Sequence, residues 1–151
     1  MSFVLSQRSR GNLEGVDSRL VEVVEYAITV TEIDFAVICG MRTVEEQRAL
    51  VDKGASQTMK SKHLEGNAVD LMAYVDGRGC WELNVYDEIA WAMREGAIEV
   101  GLPVRWGAAW TVTDIRQWND SMEDAMNDYI DTRRGQNRRP FIDAPHFEIM
   151  G

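Results

Sequence analysis

The chain holds only two histidines, and both lie in settings suited to a metal ligand. His63 sits in Ser61-Lys62-His63-Leu64-Glu65-Gly66-Asn67-Ala68-Val69-Asp70, and His146 in Asp143-Ala144-Pro145-His146-Phe147-Glu148. Imidazole is the commonest protein ligand for zinc, and a hydrolytic zinc site takes three protein ligands and keeps one position for water. His63, Asp70 and His146 would supply two nitrogens and one oxygen. Asp143, just ahead of the last ligand, would lie within reach of that water. This set of residue types points to a zinc hydrolase. Asp70 strengthens it, because a carboxylate on an apolar strand is costly to bury unless it is paired or bound to a metal.

The elements that must position these groups can be read from local pattern. Asp17 caps a helix with Leu20, Val23, Val24 and Ala27 on one face. Asp34 to Cys39 reads as a buried strand ended by Gly40, with Cys39 as a small apolar residue of that run. Thr43-Val44-Glu45-Glu46 is a capping box for a helix from about Val44 to Lys53, stopped at Gly54. The polar stretch 55–62 reads as loop, and Asn67 to Tyr74 as a strand with Ala68, Asp70 and Met72 on one face. Gly66 and Ala68 keep bulk away from where the chain passes the site. Asp76-Gly77-Arg78-Gly79 is a turn. A third helix opens at Asn84 with Asp87 and carries Val85, Ile89, Ala92, Met93 and Gly96 on one stripe, ending at Gly101. Pro103 to Trp106 is a short strand. Asp114 to Thr132 reads as one helix with Trp118, Met122, Ala125, Met126 and Tyr129 inward. His146 to Met150 is a last strand, with His146 and Glu148 on one face. Strands and helices mix without a βαβ rhythm, so an α+β fold is expected, a small antiparallel sheet flanked by helices.

Composition narrows the function classes. The chain has 151 residues, the size of one domain with one core. Its net charge of -9 argues against nucleic-acid binding, which needs a basic surface. The one basic cluster, Arg133-Arg134 with Arg138-Arg139, reads as a solvated loop near a helix end. No apolar stretch approaches the roughly 20 residues that span a bilayer, so no stable membrane association is expected. The N-terminal residues lack a basic segment followed by a long apolar run, which argues against a cleaved secretory signal and for free thiols at Cys39 and Cys80.

Ser61-x-His63-x-x-Gly66-x-Ala68-x-Asp70, followed by Asp143-x-Pro145-His146-Phe147-Glu148, resembles the zinc D-Ala-D-Ala peptidase superfamily. That group includes VanY-type carboxypeptidases, VanX-type dipeptidases and phage L-alanyl-D-glutamate endopeptidases. Gly40-Met41-Arg42-Thr43 with Gln47, and Arg105-Trp106-Gly107-Ala108-Ala109-Trp110, resemble further elements of it. The resemblance spans about Phe35 to Glu148 and is strongest to phage endolysins of the L-Ala-D-Glu type. It implies a Hedgehog/DD-peptidase-like fold and one Zn2+ held by His63, Asp70 and His146. It implies Asp143 as general base, and Arg42 as the cation that polarises the scissile carbonyl. Ser61, Gln47, Trp106 and Glu148 become substrate-binding or ligand-supporting residues, with Trp106 and Trp110 able to wall the cleft. Ala109 departs from the family, where an Asp often stands. The implied substrate is the peptidoglycan stem peptide, cut at L-Ala-D-Glu by a monomeric, single catalytic domain without a wall-binding domain. The enzyme would wait in the host cytoplasm until a holin pore releases it. A D,D-carboxypeptidase or D-Ala-D-Ala dipeptidase on the same site stays open, as does a non-catalytic Hedgehog-like zinc module.

Overall fold

The computed structural model describes residues 3–56 and 59–150, so residues 57 and 58 of the expected loop lie outside the described residues. The chain runs α1 (Gln7–Asn12), α2 (Ser18–Val30), β1 (Asp34–Cys39), α3 (Val44–Asp52), β2 (Ala68–Val75), β3 (Arg78–Cys80), α4 (Leu83–Val100), β4 (Val104–Trp106), α5 (Met122–Gly135) and β5 (His146–Ile149). Short 3-10 turns at Lys62–Glu65 and Ile115–Gln117 complete it. The sheet order is β1-β2-β5-β4, with β3 also paired to β2, and every pairing is antiparallel. The architecture is the expected α+β one.

Local chemistry explains the element ends. Asp17 accepts from the Arg19 amide and starts α2, which buries Leu20, Val23, Val24 and Ala27. Thr43 and Glu46 form both bonds of the capping box at α3. Gly101 closes α4 in the left-handed region, where a side chain would be strained. Alternation on β2 sends Leu71 and Ala73 into the core while Asp70, Met72 and Tyr74 stay half-buried on the other face. α4 packs on β2 and β4 and against α2, so the core lies on that side of the sheet.

Four expectations need correction. The helix expected over 114–132 is broken. Asp114 accepts from the Arg116 amide, Trp118 Nε1 donates to the Ser121 carbonyl, and Ser121 then caps α5 by accepting from the Asp124 amide. Short polar side chains there compete with a continuous helical ladder. Arg78 and Gly79, expected as the second half of the 76–79 turn, instead begin β3, which pairs with β2. α4 starts after Glu82, which makes no side-chain cap bond, rather than at Asn84. Gly66 makes its close approach to the Gly15 carbonyl, where an added Cβ would collide, and not to the site. Its carbonyl accepts from the Asp17 amide at 2.8 Å, which ties the Lys62–Glu65 turn to the start of α2.

Candidate metal centre

β2 and β5 pair Asp70 directly with His146, and Ala68 with Glu148. Strand pairing therefore puts Asp70, His146 and Glu148 on one sheet face. His63 arrives from the 3-10 turn at Lys62–Glu65, whose first amide bonds are organised by Ser61: its hydroxyl accepts from the His63 amide at 3.2 Å. The His63 carbonyl accepts from the Arg42 amide at 2.9 Å, which fastens this turn to the β1–α3 connection.

Both imidazoles converge on one oxygen. His63 Nε2 lies 3.3 Å and His146 Nδ1 lies 3.2 Å from Asp70 Oδ1. Their far nitrogens are committed elsewhere. His63 Nδ1 donates to the Gly40 carbonyl at 2.6 Å, and His146 Nε2 donates to Glu148 Oε1 at 2.8 Å. Such bonds fix the orientation of each ring and turn its near nitrogen toward the shared carboxylate, where it can ligate a metal in exchange for its proton. The approach of His63 Nε2 to Asp70 is close enough for an ion pair, but its angle is not that of a hydrogen bond. Nε2 is thus a buried nitrogen without a hydrogen-bond partner.

The donor set fits a tetrahedral ion. Ligand bonds of about 2.0–2.1 Å put neighbouring ligand atoms about 3.3 Å apart. The two imidazole-to-carboxylate distances match two edges of such a tetrahedron. Two overlapping donor groups are present among the described residues, Cys39-His63-Asp70 and Asp70-Asp143-His146, with Asp70 common to both. Cys39 faces the wrong side of its imidazole: its Sγ lies 3.8 Å from Nδ1, the nitrogen already bonded to Gly40. The thiol instead accepts from Arg42 Nε at 3.2 Å.

Electrostatics agree with a site built around one carboxylate. Burial would raise the Asp70 carboxyl, but the His146 hydrogen bond and the close positive charge of His63 and His146 hold it far below the usual carboxylate range. Burial would lower both histidines, yet Asp70 and Cys39 hold His63 up at about 10, and Asp70 and Glu148 hold His146 up at about 9. Asp143 behaves oppositely. Burial and the Asp70 charge push its carboxyl up, against the pull of His146, His63 and Arg42.

Arg42 reaches the other oxygen of the same carboxylate, with Nη2 3.2 Å from Asp70 Oδ2. Its Nη1 donates to Gln47 Oε1 at 3.0 Å. With the Cys39 contact, three of the guanidinium's five N–H donors are engaged. Gln47 is fully buried and also donates to Ser56 Oγ at 2.8 Å, so it anchors Arg42 from inside. Glu65 is exposed and bonded to Asn67, as a solvated carboxylate should be.

Trp106 does not wall the cleft. β4 pairs Trp106 with Phe147, which faces the core, and the two rings stack at 6.4 Å. The indole is fully buried and donates to the Ala144 carbonyl at 2.7 Å, so it braces the segment between Asp143 and His146. Trp110 takes the wall position, its ring 5.6 Å from that of His146 and stacked on Phe141. Arg105 caps the Trp110 ring and carbonyl. Ala109 is fully buried, so this position presents no side chain to a substrate.

Comparison with known proteins finds relatives that match nearly the whole chain. A family model described as phage L-alanyl-D-glutamate peptidase matches residues 1–150. The L-alanyl-D-glutamate peptidase of Escherichia phage T5 is 30% identical over 154 residues, covering 99% of this chain and 100% of that protein. The crystal structure of the Serratia marcescens L-Ala D-Glu endopeptidase ChiX superposes with a TM-score of 0.72 at 32% identity, over 97% of this chain and 90% of that one.

Proposed function

We infer the activity from one premise: the chain belongs to the phage L-alanyl-D-glutamate peptidase family. It is a peptidoglycan peptidase, an endolysin that hydrolyses the bond between L-Ala and D-Glu in stem peptides. The observation that carries this reading is the convergence of both histidines on Asp70 Oδ1 beside the Asp143 carboxylate.

The ion is zinc, held by His63, Asp70 and His146; two imidazoles and one carboxylate suit its preferences. When bound, zinc polarises the scissile carbonyl and acidifies the attacking water. Asp143 takes the proton of that water and passes it to the amine of the departing D-Glu. Its raised carboxyl supports this, since a base works best with a pKa nearer the working pH. Arg42 turns its remaining N–H donors to the oxyanion that forms at the L-Ala carbonyl. Glu148 and the Gly40 carbonyl hold the two imidazoles in register, and Gln47 and Ser61 hold Arg42 and His63. The working form is a monomer, kept in the host cytoplasm and released to the wall through a holin pore. Among the described residues no helix is long and apolar enough to cross a membrane.

Mass analysis of purified peptidoglycan after digestion tests the reading. New fragments with an N-terminal D-Glu are expected. Released D-Ala or free D-Ala-D-Ala would instead identify a D,D-peptidase. Intact peptidoglycan with metal bound would identify a binding module.

A further inference from the structure

The irregularity in β1 brings a thiol to the edge of the site. The register with β2 shifts between Val37 and Cys39, and Cys39 then stands directly opposite Asp70. Arg42 bridges this cross-strand pair. Its Nε donates to Cys39 Sγ at 3.2 Å, and its Nη2 donates to Asp70 Oδ2 at 3.2 Å. Nε and Nη2 form one edge of the planar guanidinium, so the two bonds hold it as a fork. Nη1 donates to Gln47 Oε1 from another side. Among the described residues, one N–H then remains on each terminal nitrogen. His63 does not depend on the thiol. Its Nδ1 lies 3.8 Å from Sγ and is already bonded to the Gly40 carbonyl at 2.6 Å.

Resting on the activity proposed above, we propose that Cys39 is a positioning residue for the reaction: its sulfur sets the plane of the Arg42 guanidinium, and so aims the two remaining N–H groups at the oxyanion. The Nε–H lies in the guanidinium plane, so its partner fixes the rotation of that plane about the Cδ–Nε bond. Sulfur is a weak acceptor, so the bond contributes little to stability and acts through aim. Its effect is confined to the transition state, where the oxyanion forms. Removing an oxyanion donor outright costs about 10²–10³-fold in kcat. A donor that is kept but tilted should cost less, about tenfold. An interaction made only in the transition state lowers kcat and leaves KM where it was.

Three variants separate aim from packing. Cys39→Ala removes both the acceptor and the bulk, Cys39→Val keeps bulk without an acceptor, and Cys39→Ser keeps an acceptor on a shorter bond. Steady-state cleavage of a synthetic L-Ala-D-Glu stem peptide by the zinc-loaded proteins should show kcat down about tenfold for Ala and Val. Ser should stay close to the parent, with KM and zinc content unchanged in all three. A second readout does not depend on turnover. The Arg42 Nε–H resonance, identified as the one missing from Arg42→Lys, should exchange with water faster in Ala and Val and stay protected in Ser. A Val variant at the parent rate beside a slow Ser variant would show packing and overturn the role. So would zinc lost in step with activity, which would make the thiol a support for His63. Parent-like kcat or Nε–H exchange in the Ala variant would also overturn it and leave the peptidase activity standing. A zinc-loaded parent that cuts nothing would overturn the activity, and this role with it, whatever the exchange rates.

Discussion

Gly107→Ala is the most informative single perturbation of the scaffold. Gly107 clamps both ends of the turn that carries Asp143 and His146. Its amide donates to the His146 carbonyl at 2.8 Å, and its carbonyl accepts from the Asp143 amide at 2.8 Å. A Cβ on Gly107 would collide with the Asp143 carbonyl oxygen and stand 2.9 Å from His146 Cβ. Neither neighbour can yield alone, because the Asp143 carbonyl also accepts from the His146 amide at 3.0 Å. The turn must open. Overpacking costs about 1–3 kcal/mol, and losing one of the clamp bonds about 1 kcal/mol more. At about 2–4 °C per kcal/mol for a chain of this size, Tm should fall by roughly 4–16 °C. Metal content and peptidoglycan digestion should fall with it, since Asp143 and His146 ride on the displaced turn. Gly135→Ala is the control: nothing lies within 4 Å of its added Cβ, and Ala suits the last turn of α5. Thermal unfolding followed by circular dichroism, with elemental analysis of the same samples, reads the difference. A Gly107→Ala protein that matched the parent in Tm and metal content would refute the argument.

Asp143→Asn should lower turnover by about 10²–10⁴-fold with metal content and fold preserved, while Glu148→Gln, one bond removed from the reacting atoms, should do less; the reverse order in a digestion assay would show the base misassigned. His63→Ala and His146→Ala should each lose stoichiometric metal by elemental analysis, and metal persisting in both would sink the ligand set. Asp87 supplies a pH test away from the centre. Burial, then Glu123 and Glu88, push its carboxyl up to about 6, and its Oδ1 is buried without a partner. A raised carboxyl leaves stability untouched below the unfolded value near 4 and costs it as pH rises through about 6. Asp87→Asn should therefore match the parent in Tm at pH 4 and exceed it at pH 7, and a gap that does not change with pH would contradict this.

Much of this arrangement was legible in the residues because local signals agreed. The apolar run ending at Gly40 marks β1 to the residue, and Thr43 with Glu46 marks the start of α3. Alternation along β2 and β5 places Asp70, His146 and Glu148 on one face, and the observed register pairs the first two directly. Cys39 escaped because the register shifts between Val37 and Cys39. Regular alternation would send Cys39 into the core with Phe35 and Val37, whereas the extra residue, Ile38, turns it toward Asp70. Nothing in the composition of that run announces a bulge. Trp106 escaped for a related reason: which face it takes depends on pairing with Phe147, a contact 41 positions away in the chain. The break ahead of α5 turned on three polar side chains bonding to local backbone, which overrode a continuous apolar period.

The central claim is that one ion sits between two named nitrogens and one named oxygen. A crystal grown with zinc, with diffraction recorded at the zinc edge, tests it most directly. One anomalous peak is predicted at about 2.0–2.2 Å from His63 Nε2, Asp70 Oδ1 and His146 Nδ1, with Glu148 still on His146 Nε2 and the Asp143 carboxylate outside bonding distance. A peak bonded to Cys39 Sγ, or a His146 ligated through Nε2, would contradict the account.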